Sequence, residues 1–239
     1  MTDFDLIRYN VPEYMISYKI ISAVPSRRKK VYKVEAQGKV CILKEYLSVE
    51  DAEREMQIVE QVATIGYAPK VIDRQDNLVL YEYIDGENFC EVFRRATMTD
   101  DVETMELLAT RLCIFLQIIY SFTDKVAKVV DFNNYVVKDG RVVGVDFLRV
   151  DEGMPYEDVA SAIAFALMNS AGQYYDSYHF IQKLLACFKL EIMDVINEVK
   201  ARLKERASEM GANDGIDIDM LLDELVNFNK KGLDWGKLI

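Results

Sequence analysis

The chain has 239 residues, 51% hydrophobic and 29% charged, with a formal net charge of −11. That length is enough for one large domain or two lobes with a sizeable core. The acidic balance argues against nucleic-acid binding through bulk electrostatics. No leader pattern or bilayer-length apolar run is read from the sequence, so a soluble, cytoplasmic protein is expected.

Tyr14 to Val24 reads as a first strand, rich in Tyr, Ile and Val. The loop Pro25-Ser26-Arg27-Arg28-Lys29-Lys30 follows. It is either a solvated hairpin tip or a cover for phosphates, with Ser26, Arg27, Arg28 and backbone N–H groups as the contacts. Val31 to Ala36 alternates as a second strand, Gln37-Gly38 turns, and Val40 to Lys44 forms a third. Ser48-Val49-Glu50-Asp51 predicts the N-terminus of a helix that runs to Thr64 and stops at Gly66. Glu55 lies in that helix, where it either pairs with Lys44 or faces solvent.

Pro69 to Asp73 and Leu78 to Tyr83 give a fourth and fifth strand around an Asp76-Asn77 turn. The pattern breaks at Ile84-Asp85-Gly86-Glu87, and the chain beyond is mostly helical, with periodic stretches over 88–96, 102–122, 156–168, 174–188, 191–210 and 219–228. A domain boundary is therefore placed at Gly86, giving lobes of 1–86 and 87–239. The four cysteines form no C-x-x-C pair, and His179 is the one histidine. A zinc or disulfide framework and a His-dependent triad are thus disfavoured.

Asp131 to Asp146 interrupts the helices as a hairpin: Tyr135 to Val137 enter a Lys138-Asp139-Gly140 turn and Arg141 to Val145 return. Asp131 and Asn134 stand at its entrance and Asp146 at its exit. An amide and two carboxylates at one end of a hairpin suit the orientation of a hydroxyl and the holding of magnesium. They are equally the residues that an ordinary turn uses.

In order and spacing, Tyr14 to Ser170 resembles the protein-kinase-like superfamily, above all its aminoglycoside-phosphotransferase, choline-kinase and RIO-type branches. Val40-Cys41-Ile42-Leu43-Lys44 is similar to the third-strand V-A-I-K element, Arg54-Glu55 to the helix that supplies its partner glutamate, and Leu78 to Gly86 to the hinge strand. Gly144-Val145-Asp146-Phe147 is similar to the D-F-G element, with Leu148 in place of glycine. Tyr156 to Ala160 resembles the downstream helix start whose aspartate braces the catalytic loop.

The resemblance implies an α+β, two-lobed kinase-like fold, with a five-stranded antiparallel sheet and one helix followed by a mainly helical lobe. It also implies ATP and Mg2+ as cofactors and a hydroxyl-bearing small molecule or protein as acceptor. Lys44 and Glu55 would fix the phosphates, the backbone at Glu82 and Tyr83 would read adenine, Asn134 and Asp146 would hold the metal, and Asp131 would orient the acceptor. The chain departs from the pattern H-x-D-x-x-x-x-N, because Asp131 precedes Asn134 by three positions rather than five. Aligned on Asn134, Val129 occupies the aspartate's place. The loop over 25–30 also lacks glycine. A phosphotransferase and a pseudokinase scaffold both remain open on this reading, as does an acidic interaction protein without a nucleotide site.

Overall fold

The computed structural model describes residues 16–26, 29–170, 177–209 and 217–232. The chain divides into two compact units. One runs to Thr64 and takes in Ala68–Ile84; the second comprises Ile65–Tyr67 and the chain from Asp85 onward.

The first unit contains β1 (Tyr18–Val24), β2 (Lys30–Ala36), β3 (Lys39–Glu45), α1 (Val49–Ala63), β4 (Val71–Gln75) and β5 (Leu78–Glu82). Its five strands pair in the order β1-β2-β3-β5-β4, every neighbour antiparallel. Gln37 and Gly38, at φ 51° and 73°, form the two-residue turn joining β2 to β3. Positive φ at both positions matches the twist of the flanking strands, and glycine takes it without strain. Because β5 returns beside β3 after α1, β3 becomes the central strand.

Successive side chains on a strand point to opposite faces. Leu43 and Cys41 accordingly join Val34, Ala36 and Leu80 in the core on one face. Lys44 belongs to the other face, where Glu55 of α1 meets it. Ser48 caps α1 by accepting the Asp51 N–H at 3.1 Å. Ala52, Glu55, Ile58, Val59 and Val62 form the buried side of that helix.

The second unit contains β6 (Glu87–Asn88), α2 (Phe89–Met98), α3 (Val102–Thr123), a 3-10 turn (Phe132–Asn134), β7 (Tyr135–Lys138), β8 (Arg141–Gly144), α4 (Pro155–Asn169), α5 (Tyr178–Phe188), α6 (Ile192–Glu209) and α7 (Ile218–Gly232). The expected hairpin is present, its turn tightened to Asp139 and Gly140, both at positive φ. It has a third strand that periodicity does not reveal, since β6 pairs with β7 through only two residues. The architecture is thus α+β, with a five-stranded antiparallel sheet and one helix followed by a mainly helical unit.

An aromatic cluster forms the heart of this unit. Phe132 lies 4.9 Å from Phe89, 5.1 Å from Phe93, 4.5 Å from Phe165 and 5.5 Å from Phe180 between ring centroids. Such contacts add about 0.5–1.5 kcal/mol each beyond area burial. Helix α3 has 22 residues and contains an 18-residue stretch of mean hydropathy 1.5, long and apolar enough by composition to cross a membrane. Its buried face, from Met105 to Ile119, instead packs as a core helix of this unit, with Phe115 5.2 Å from Tyr135.

Candidate functional site

Each unit carries part of the expected chemistry, and each part is built differently. In the first unit the ladder sets Lys44 opposite Val31 on β2 and Val79 on β5. Its Nζ lies 2.5 Å from Glu55 Oε1, with the two side chains 5% and 0% exposed. The pairing expected of these residues is present and fully desolvated. Burying an ion pair is costly unless the geometry is close and further hydrogen bonds are made. Here a second lysine shares the load: Lys29 Nζ lies 2.6 Å from Glu55 Oε2 and is 2% exposed.

Two tyrosines complete the cluster. Lys29 Nζ stands 5.0 Å from the centroid of the Tyr46 ring and Lys44 Nζ 4.7 Å from that of Tyr81. Both distances suit a cation–π contact. The tyrosine hydroxyls are hydrogen-bonded to each other at 2.9 Å. Burial first, then the Glu55 charge and the neighbouring Tyr81, drive the Tyr46 hydroxyl far above its ordinary range, so it stays protonated.

Of the other residues expected to touch nucleotide, Ser26 is exposed, and Arg27 and Arg28 lie outside the described residues. Glu82 ends β5 and donates its backbone N–H to Lys70 O at 2.9 Å. Tyr83 is half-buried, with Lys33 Nζ 4.3 Å from its ring centroid. Lys29, Tyr46 and Tyr81 are not singled out by the sequence pattern. The one signal it offers for Lys29 is the run of four basic residues ending the glycine-free loop.

In the second unit the loop before the hairpin is held by its surroundings. Val126 exchanges both backbone hydrogen bonds with Asp151, at 2.9 and 3.0 Å. Asp158 accepts the N–H of Ala127 at 2.9 Å and that of Lys128 at 2.8 Å, one on each carboxylate oxygen. Ser161 Oγ accepts the N–H of Val130 at 2.9 Å. Asp158 therefore braces the loop from the first turn of α4, as the resemblance implied. Burial raises its pKa to about 7, against the two backbone donors, which favour the ionised form. Burial likewise pushes Glu157 up, but hydrogen bonds from Lys128 and the Met154 N–H, with the Lys128 and Arg202 charges, outweigh it and hold the carboxyl low.

Asp131 follows the braced segment and caps the 3-10 turn. Its Oδ1 accepts both the backbone N–H and the side-chain amide of Asn133, each at 2.9 Å. Its Oδ2 lies 3.8 Å from Arg206, whose guanidinium stacks 4.2 Å from the Phe165 ring centroid. Next in sequence, Phe132 anchors the turn in the aromatic cluster, so the backbone at Asp131 is firmly placed.

The hairpin joins its two ends through Val145 N–H donating to Asn134 O at 2.9 Å. Asp146, immediately after Val145, is half-buried and its Oδ1 accepts the Leu148 N–H at 3.2 Å. Gly144 is required by close packing: a methyl group there would lie 2.7 Å from ring atoms of both Phe115 and Phe147. The Tyr135 hydroxyl is fully buried in this unit. Burial raises its pKa well above the ordinary value, and the charges of Asp158, Asp131 and Asp146 raise it further.

Among the described residues no group of three or more His, Cys, Asp or Glu side chains is arranged to hold a metal ion. Magnesium does not require one. It is commonly held by one or two protein oxygens with phosphate and water completing the octahedron. Asn134 and Asp146 carry hard-oxygen donors at the two ends of the hairpin, whose backbone joins at Val145 and Asn134, and that chemistry suits the ion.

No family model matches the chain, and no curated protein matches it. Among solved structures, an ethanolamine kinase from Plasmodium vivax matches over 90% of this chain and 82% of its own, at 10% identity and a TM-score of 0.50. The PknI kinase domain of Mycobacterium tuberculosis matches over 66% of this chain and 76% of its own, at 16% identity and a TM-score of 0.46. The first likeness shows a kinase-like fold and no more than the fold; the second is too slight to add to it.

Proposed function

We propose that this chain, whose fold is that of the protein-kinase-like superfamily, is an ATP- and Mg2+-dependent phosphotransferase acting on a hydroxyl of a small molecule or protein. The observation that carries the reading is the buried Lys44–Glu55 pair at 2.5 Å. A lysine fixed by a carboxylate in the core offers positive charge at a set position, which is what phosphoryl transfer asks of a protein. In this reading Lys44 neutralises phosphate oxygens, the backbone at Glu82 and Tyr83 meets adenine, and Asn134 and Asp146 hold the metal. Ser26, Arg27 and Arg28 cover the phosphates from the loop. Magnesium, when bound, offsets charge on the transferring group. The acceptor oxygen bonds to the γ-phosphorus as the bond to the ADP oxygen breaks, and Asp131 orients the acceptor and accepts its proton.

A second reading is favoured by a specific observation. Asp131 already spends Oδ1 on two hydrogen bonds from Asn133, and Val129 takes the aspartate's place when the loop is aligned on Asn134. A pseudokinase that binds nucleotide without transferring phosphate fits that arrangement. Thermal unfolding with and without ATP and Mg2+ is the first test, and a rise in midpoint is expected. No rise would sink both readings. ATP consumption that disappears in Asp146→Ala supports the phosphotransferase. Binding without consumption or autophosphorylation, across a panel of amino-alcohol, sugar and protein acceptors, leaves the pseudokinase. The expected setting is the cytoplasm, with no nucleic-acid partner and no membrane span.

A further inference from the structure

We infer that the outward face of α3 and the turn between β7 and β8 form a docking surface for an acidic, amphipathic segment of a partner protein. Helix α3 is apolar on both sides. Its buried side runs from Met105 to Ile119. On the other side Leu107, Arg111, Ile114 and Ile118 follow one another at helical spacing and so form one stripe. Leu107 and Ile114 are 43% and 44% exposed, and Arg111 and Ile118 are half-buried. A helix that is hydrophobic all round is ordinarily covered all round. This one is covered on one side only.

Arg111 carries the stripe to the hairpin. Its Nη2 lies 3.8 Å from the point where a Gly140 side chain would begin. Lys138 and Arg141 flank that turn as direct cross-strand partners. Side chains so placed share a face of the sheet, and like charges directly opposite destabilise the pair. Among the described residues none of the three cations has an ion pair or a side-chain hydrogen bond. Arg141 meets the Tyr67 ring, 5.8 Å from its centroid. Asp139, the acid in the turn, is paired with none of them. The turn is therefore positive in a chain whose net charge is −11. A solvated hairpin tip would account for these charges but not for the aliphatic stripe beside them.

Charge complementarity names the occupant. A segment that lays aliphatic side chains along Leu107, Ile114 and Ile118 can set carboxylates against Arg111, Lys138 and Arg141. Arginine bonds carboxylates in a bidentate fashion and is enriched among the residues that anchor interfaces. A nucleic acid would leave the stripe unused. An anionic bilayer is disfavoured because a membrane-surface helix is rich in basic residues on its polar face, whereas this stripe carries one. The acidic remainder of the chain would also be repelled by anionic lipid. The turn lies at the far end of the hairpin from Tyr135 and Gly144, so the surface stands or falls independently of the nucleotide reading.

Selection from a random peptide library displayed on phage, run on the full chain and on the double variant Arg111→Glu, Lys138→Glu, tests this chemistry without presuming a sequence. Peptides recovered on the wild type and lost on the variant should combine Asp or Glu with Leu, Ile, Val or Phe. Recovered peptides that are basic, or that bind both chains alike, would overturn the inference. Fluorescence anisotropy of the leading acidic peptide then assigns the residues: Arg111→Gln, Lys138→Glu and Ile114→Ser should each weaken it about tenfold. Unchanged affinity in Arg111→Gln or Ile114→Ser would overturn it. Lys138→Glu sets an acid opposite Arg141, so its urea midpoint should hold or rise, which separates lost binding from lost fold. Cosedimentation with phosphatidylserine vesicles that the peptide does not compete would name a membrane instead. A dimer dissolved by Arg111→Gln and by the peptide would name a second copy. Either result would overturn the partner proposed.

Discussion

The two functional regions are assembled on opposite plans. Around Lys44 the groups proposed for function are the core: Lys44 and Glu55, with Lys29 beside them, have side chains at most 5% exposed, and both ammoniums bond the Glu55 carboxylate. Around Asp131 the core is made by different residues. Asp158, Ser161 and Phe132 hold the loop from beneath, while Asp131 itself is 33% exposed and bonded to its own turn. Stability and function should therefore be inseparable in the first region and separable in the second. Substitutions in the two regions test this.

The largest effect is expected at Glu55. Glu55→Ala leaves two desolvated ammonium groups without their shared carboxylate, and breaking a buried pair in this way costs about 3–5 kcal/mol. Urea denaturation measures it directly, and a loss below about 1 kcal/mol would show that the cluster is wetter than its exposure implies.

Next comes Asp158. Asp158→Ala strips two buried backbone donors of their acceptor, at roughly 1–3 kcal/mol for each group left unsatisfied. Amide exchange at Ala127 and Lys128 should quicken before that of the aromatic core. The carboxyl also predicts a pH dependence. Its folded pKa, about 7, is raised above the unfolded value near 3.9. Between those values the folded chain holds a proton that the unfolded chain has released. That contribution to stability is complete below about pH 4 and is lost as pH rises through about 7. The urea midpoint of the wild type should therefore fall more between pH 5 and pH 8 than that of Asp158→Asn, which cannot titrate there. Identical falls would mean that the two backbone donors keep Asp158 ionised throughout.

The contrast also governs what was legible in the sequence. Turns, caps and alternation are local, so Gln37-Gly38, Ser48 and the V-C-I-L-K strand announced themselves, as did the hairpin ending at Asp146. The brace by Asp158 was legible only through a family resemblance, since it joins residues about thirty positions apart. The placement of β5 beside β3 and the two-residue strand β6 depend on backbone pairing that no periodicity records. Lys29 was hidden because a basic loop gives no sign of which residue is buried, and only the fold shows that Lys29 turns inward to Glu55 while Lys30 pairs with Glu45. The capping role of Asp131, by contrast, was present as a local pattern: an aspartate two residues before the N–H it captures is an Asx turn.

Gly144 tests how far the second region tolerates change beneath its functional groups. Gly144→Ala puts a methyl carbon 2.7 Å from the Phe115 and Phe147 rings. Overpacking of this kind costs about 1–3 kcal/mol. Because Phe147 adjoins Asp146, any ATP consumption should fall with it, and Mg2+ dependence should shift to higher concentration. An unchanged metal requirement would separate the packing of Phe147 from the position of Asp146.

The smallest stability effect belongs to Asp131, and it is the sharpest test of the contrast. Asp131→Asn keeps an oxygen able to accept from Asn133, so the turn retains its cap and stability should change by no more than about 0.5 kcal/mol. What the substitution removes is the negative charge and the capacity to take a proton from an acceptor hydroxyl. If Asp131 performs that step, turnover should drop by about 10²–10⁴-fold with ATP affinity unchanged. If the carboxylate is only a cap, turnover and stability should both stay near wild type. The charge also faces Arg206 at 3.8 Å, so Arg206→Met provides a control: a loss of turnover there, with the Asp131 carboxylate intact, would mark Arg206 as a residue that positions it. Loss in Asp131→Asn without loss of stability would place catalysis on a half-buried group carried by a core that does not need it.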